Sequence, residues 1–233
     1  MRNRTGAGWL GAAQALLLAG VLAGCGDTDD KGARAPVSPT APVSAHPSAS
    51  GTASPAAGGR VGPAGSACPL PVAFDIAPDW KPMAVRVTEP SASPSDGLGE
   101  DLRKELMESL LHQGPFTAVC EVDAKPAGNI GFLRVWKAGP GDADARGALQ
   151  KFVTAEEGAR HATYRTFSSG GLKGVRVDYE VWDELLEESK EECAFAVVTA
   201  DGPVVVHLGG LDTQEHEEML PAFDLAQRTV RTT

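Results

Sequence analysis

The residue best placed for covalent chemistry is Cys25. It ends the box Leu22-Ala23-Gly24-Cys25, at the close of an apolar run that begins near Trp9 and is densest over Leu16-Leu17-Leu18-Ala19-Gly20-Val21-Leu22. Arg2 and Arg4 precede the run and no acidic residue does. A basic n-region, an apolar h-region and small residues at the cut make an export signal. A cysteine just after the cut adds a reaction of its own: its thiol accepts a diacylglycerol, and the freed α-amine then takes an acyl chain such as palmitate. The run is short for a membrane span of about 20 residues, and no positive stop-transfer cluster follows it. Residues 1–24 therefore read as a lipoprotein signal peptide, with Cys25 as the lipidated first residue of the mature chain. One acyl chain binds a bilayer only marginally, at about 0.8 kcal/mol per buried methylene, so a two-chain lipid is what makes the anchor stable.

Three other cysteines remain: Cys68, Cys120 and Cys193. In an exported chain an odd number leaves one bridge and one spare thiol, or an intermolecular bond. Three pairings are open. Cys68 with Cys120 is favoured, because it ties down the start of the domain where the tether enters. Cys193 shares a strand face with Phe195 and Val197 and reads as a buried structural thiol. None of the three has CxxC spacing or a histidine neighbour of metal-site type, so no metal or cofactor site is expected from them.

The remaining reactive side chains form no catalytic frame. Asp183, Glu184, Glu187, Glu188, Glu191 and Glu192, with Lys190 among them, are the densest acidic run. The run lacks the glycine and the alternation of a calcium loop, and reads as a solvated hairpin tip. The histidines are His46, His112, His161, His207 and His216. His207 and His216 flank one turn; with Asp212 or Glu215 they would at most approximate a two-histidine, one-carboxylate site. Ser168-Ser169-Gly170-Gly171 is a turn without a nucleophile frame, and Gly209-Gly210 has no phosphate-loop context. Trp80, Trp136 and Trp182 read as packing residues rather than a sugar or peptide groove.

Composition bounds the partners. The 233-residue chain has formal charge −10, and loss of Arg2 and Arg4 with the signal takes the mature chain to −12. Such a surface is repelled by nucleic acid and by an anionic bilayer, which argues against both as docking partners. Gly26 to Ser66 carries Pro36, Pro39, Pro42, Pro47, Pro55 and Pro63 among small and polar residues, too apolar-poor to offset ordering entropy, and reads as a tether. Residues 25–67 are therefore the lipidated cysteine and a disordered spacer, and 68–233 one folded domain.

The domain's elements follow from periodicity. Val72, Phe74 and Ile76 alternate as a strand, and Met83 to Thr88 follows as another. Leu98 to His112 reads as a helix with Leu102, Leu106, Leu110, Met107 and Leu111 as its apolar stripe. Strands are expected over 116–122 and 129–136. A helix capped at Asp142 or Asp144 runs to about Glu157, with Ala145, Leu149, Phe152 and Val153 inward. Two long β segments, 161–167 and 172–182, precede a hairpin of 192–199 with 204–208. A last helix, about 213–229, has Asp212 and Glu215 at capping-box spacing and Met219, Phe223, Ala226 and Val230 as its stripe. Short connections imply a largely antiparallel sheet with helices on its faces, an α+β sandwich.

Several of these stretches resemble a known superfamily. Phe74-Asp75-Ile76-Ala77-Pro78-Asp79-Trp80, the capped helix, the long hairpins and Leu220-Pro221-Ala222-Phe223 in the terminal helix resemble the PsbP-like superfamily, including actinobacterial LpqN/LpqT-type lipoproteins. The stretch from Cys120 to Trp136 is similar to lipoproteins of the same phylum. The resemblance spans roughly Val72 to Val230. It implies an α/β/α sandwich and a binding or assembly role; no ligand site transfers with it. The expectation is thus a monomer anchored through Cys25 at the extracytoplasmic face of the cell membrane. It is a non-catalytic adaptor that meets a protein partner, with a carrier of a small apolar or metal ligand, held between sheet and helices, as the alternative.

Overall fold

The computed structural model describes residues 57–86, 99–141, 144–184 and 186–233. The signal segment, Cys25 and the tether through residue 56 lie outside the described residues. Within them, eight strands form one antiparallel sheet. Its spatial order is β3 (Lys81–Ala84), β5 (Phe116–Asp123), β6 (Gly131–Lys137), β10 (Gly202–Gly210), β9 (Glu188–Thr199), β8 (Leu172–Asp183) and β7 (Ala159–Ser169), with β4 (His112–Gln113) also paired to β5. The hairpins β7–β8, β8–β9 and β9–β10 account for half the sheet, as their short connections require. The central strands β9 and β10 are buried on both faces, so their inner stretches read as near-continuous apolar runs such as Ala194–Val197 and Val204–Val206.

Each face has its own cover. α2 (Ala145–Thr154) packs Ala148, Leu149, Phe152 and Val153 on Val175, Val177, Ala194, Ala196 and Val205. Asp144 caps it by accepting from Gly147 N–H at 2.7 Å. On the other face α3 (Thr213–Thr229) lays Met219, Phe223 and Ala226 on Phe195, Val204, Val206 and Leu208. Asp212 caps it by accepting from Glu215 N–H at 2.9 Å. A small sheet of β1 (Gly59–Val61), β2 (Val72–Ile76) and β11 (Arg231–Thr232) flanks α3, and Asp75 N–H donates to Thr229 Oγ1 at 2.9 Å. The chain is thus α+β, with cover on both sides of the antiparallel sheet.

Three features differ from the sequence reading. First, Gly59–Val61, assigned above to the tether, is a strand on β2, with Val61 fully buried. One apolar residue gives no periodic signal; backbone pairing and the Arg60–Asp75 ion pair at 2.6 Å hold this segment. Gly62 then turns the chain at φ +107°, where a Cβ would lie 2.1 Å from the Val72 carbonyl oxygen. Second, β5 shifts register between Ala118 and Cys120. This bulge leaves Phe116 and Ala118 facing α2 but turns Cys120 and Val122 to the α3 face. Cys120 there bonds to Cys68, with their Cα atoms 5.8 Å apart. Cys193 is a free thiol, buried on the same face. Third, α1 (Glu100–Leu111) does not bury the whole stripe expected of it: Leu102 and Leu110 stay half exposed while Leu111 is buried. Among the described residues no helix is long and apolar enough to cross a membrane.

Candidate functional site

One cluster of titratable side chains is buried in the sheet face beneath α2. Period-2 alternation turns Tyr179 of β8, Glu192 of β9 and His207 of β10 to that face, alongside Val177, Ala194 and Val205. The three lie on adjacent strands. Glu156, two residues beyond the end of α2, comes down on them from above. The Tyr179 hydroxyl sits 2.6 Å from Glu156 Oε2, 3.2 Å from Glu192 Oε2 and 3.2 Å from His207 Nε2. His207 Nε2 is 2.6 Å from Glu192 Oε2, and Lys190 Nζ is 2.6 Å from Glu192 Oε1. Gln113 of β4 donates its amide to the Phe152 carbonyl at 3.1 Å and to Glu156 Oε2 at 3.3 Å. Phe152 closes the site, its ring edge-on to His207 at 5.5 Å.

The two carboxyl groups are driven apart electrically. Burial raises the Glu192 pKa, but His207 and then Lys190 outweigh it and hold the group at about 2. Burial and the neighbouring Glu192 charge push Glu156 up. Burial, reinforced by both carboxylates, puts Tyr179 well above the ordinary phenol.

Glu156, Glu192 and His207 each bring a donor atom to within 4.8 Å of the other two. The set does not fit a metal ion. The Tyr179 hydroxyl fills the point that faces all three donors, and as a strongly protonated phenol it is a poor ligand. Glu192 is already neutralised by Lys190. A metal on His207 Nε2 would strand a proton on Nδ1, which is buried with no hydrogen-bond partner, whereas ligating histidines donate from the second nitrogen.

The structure redistributes the residues singled out by sequence. His207 does not meet His216: the sheet separates them, His216 lying on the α3 side. There burial depresses its pKa to about 4, partly opposed by the Glu192 charge. Glu192 leaves the solvated acidic run and enters the core at 2% exposure, while Glu187, Glu188 and Glu191 stay exposed on or beside the hairpin tip. Ser169 donates its hydroxyl to the Arg228 carbonyl at 2.8 Å and is occupied as a turn tie. Trp80 and Trp136 are buried, and the ring of Trp182 lies under the Arg160 guanidinium at 4.9 Å. Three surface clefts of about 790, 980 and 290 Å³ contain none of Glu156, Tyr179, Glu192 or His207 in their walls. The largest runs between the N-terminal end of α2 and the β7–β8 turn, over Val175, Val198 and Ala145, with Arg146 and Lys173 at its rim.

Residues 39–230 match a protein family described as uncharacterised lipoprotein. The chain belongs to that family. It is accordingly a lipoprotein with a lipid anchor. No curated protein matches it. Among solved structures it is similar to LpqN of Mycobacterium tuberculosis, described as involved in cell envelope biogenesis. The identity is 15%, over 70% of this chain and 83% of that one, with a TM-score of 0.37.

Proposed function

We propose that this lipoprotein is a non-catalytic binding or adaptor domain held at the extracytoplasmic face of the cell membrane by a diacylglycerol on Cys25. The observation that supports a binding over a catalytic role is the closure of the Glu156–Tyr179–Glu192–His207 cluster. Glu156 Oε2, the Tyr179 hydroxyl, the Glu192 carboxylate and His207 Nε2 bond to one another and to Lys190 and Gln113, and none of the four residues lines the three clefts described above. Residues 1–24 serve as the signal, the stretch from Cys25 to about residue 58 as lipid attachment and spacer, and the rest as one monomeric domain. Labelled palmitate should enter the wild type and not Cys25→Ala, and protease added to intact cells or spheroplasts should remove the domain. Crosslinking on the same cells should join a protein partner to the anchored form only. Acylation of Cys25→Ala, or protection of the domain from external protease, would refute the anchor or the membrane face.

A second reading, a carrier of a small apolar ligand, is favoured by the 980 Å³ cleft over Val175, Val198 and Ala145. Native mass spectrometry of protein purified from its own membrane tests it: a mass adduct lost in Val198→Asp supports the carrier, and a bare mass returns the weight to the adaptor.

A further inference from the structure

We infer that Glu156 retains a proton in the folded protein, as the head of a hydrogen-bond chain that runs Glu156 O–H to Tyr179, Tyr179 O–H to Glu192 and His207 Nε2–H to Glu192. The cluster is thereby a proton-binding site that empties as the pH outside the cell rises. The inference is independent of the binding reading.

Counting hydrogens carries the argument. Three contacts link the four side chains in sequence: Glu156 to Tyr179 at 2.6 Å, Tyr179 to Glu192 at 3.2 Å and Glu192 to His207 at 2.6 Å; the Tyr179 oxygen also lies 3.2 Å from His207 Nε2, a contact that can share the Nε2–H but brings no further hydrogen. Each needs one hydrogen. With both carboxyl groups ionised only two are present, the tyrosine O–H and the histidine Nε2–H, because an ionised carboxylate accepts and never donates. One contact would then set two oxygen lone pairs against each other in a site whose Tyr179, Glu192 and His207 members are buried. One more proton supplies the third hydrogen.

Its position follows from the neighbours. Glu192 takes Lys190 on Oε1 and His207 on Oε2, so both its oxygens already accept strong donors. The donors that reach Glu156 among the described residues are the Gln113 amide and the tyrosine hydroxyl, and neither is charged. The groups that face Glu156 are Tyr179 from β8, Lys190 and Glu192 from β9, His207 from β10 and Gln113 from β4. The nearest other charge on its own connection is the exposed Glu157, and Asp183 acts on Lys190 from the end of β8. His207 presents Nε2 to Glu192 and Tyr179, while its Nδ1 is buried without a partner. When the pH rises, the proton passes from Glu156 to solvent and the chain of donors breaks at the tyrosine.

The test is the ¹³C titration of the glutamate side-chain carboxyl of Glu156 in the mature, lipid-anchored protein in detergent micelles, assigned by its loss in Glu156→Gln. The expected midpoint lies at least about one unit above that of a free glutamate, a tenfold or greater shift in proton affinity. A smaller displacement, or a downward one, overturns the inference. Glu192→Gln should return the midpoint toward the free value; an unchanged midpoint also overturns it. Glu156→Gln presents a donor where the protonated acid does, so it should match wild-type urea stability at pH 5 and show less decline as the pH is raised. A Glu156→Gln protein weaker than wild type at pH 5 counts against the retained proton.

Discussion

Removing the bridge between Cys68 and Cys120 should cost about as much stability as a large core truncation. The sequence separation is 52 residues. Closing a loop of that length in the unfolded chain removes about 14 cal/mol/K, or about 4 kcal/mol at 25 °C. The bridge joins the small sheet to the main one within a core that both share. Cys68 lies in the turn between β1 and β2, and Cys120 follows the bulge in the main sheet. The test compares urea unfolding of the oxidised protein with that of Cys68→Ala/Cys120→Ala, followed by tryptophan fluorescence. With an m-value of about 2 kcal/mol/M, the midpoint should fall by about 2 M. Cys193 provides the internal control: it is fully buried and burial raises its thiol pKa well above the usual value. It should therefore resist alkylation until the chain unfolds, in both proteins alike. A midpoint change under about 0.5 M would refute the loop-closure account. Rapid alkylation of Cys193 in the folded oxidised protein would refute its placement in the core.

Three further perturbations have worked expectations. Phe152→Ala empties the junction of Phe116, Trp136 and His207, whose rings lie 5.5–5.6 Å from it, and should cost about 3–5 kcal/mol in urea unfolding. Gly62→Ala meets both a positive φ and the Val72 carbonyl, and should lower the melting temperature by an amount corresponding to at least about 1–3 kcal/mol. His216 is neutral in the core with its pKa depressed from 6.5 to about 4. Its contribution is present above pH 6.5 and is lost as the pH falls through 4, to a total of about 3 kcal/mol. His216→Met should flatten the stability curve across that window, and an unchanged slope would show that another group titrates there.

The periodic elements were legible in the sequence because each buries one regular face. The stripes of α2 and α3 and the alternation of β8 are all found where the spacing places them. β1 was not, since a three-residue strand with one buried valine has no period to detect. The failure at α1 is of another kind: its leucines satisfy the helical spacing, but spacing says nothing about whether a surface is there to receive them. The buried cluster was partly readable. Tyr179 falls in the alternation Val175, Val177, Tyr179, Val181, and a buried phenol requires a partner for its hydroxyl. His207 interrupts the run Val204-Val205-Val206 before Leu208 in a strand apolar on both faces, which is a signal of burial. Glu192 was masked by the five acids before it. Carrying the alternation of Ala194 and Ala196 back by one step would have turned it inward. Glu156 had no local signal, because only the return of the chain after α2 places it over the sheet.

The energetics of that cluster separate what it contributes to stability from why it is there. Glu192 is held at about 2 against an ordinary 4.5, so its ionised form is favoured above pH 4.5 and the advantage disappears as the pH falls through 2. The gap corresponds to about 3 kcal/mol. That figure measures preference for one protonation state, and the desolvation of a carboxylate and an ammonium stands against it. Removing one member should therefore hurt more than removing all. Glu192→Leu leaves Lys190 and His207 facing an apolar side chain and should cost about 3–5 kcal/mol. Combining it with Glu156→Leu, Tyr179→Phe, Lys190→Met and His207→Phe removes every stranded partner and should recover most of the loss, by urea unfolding at pH 7. If the combined variant is instead as weak as the sum of its parts, the network is a net source of stability. If it recovers, fold stability alone does not explain the five ionisable groups of this network, and the proton held at Glu156 is the property left to account for them.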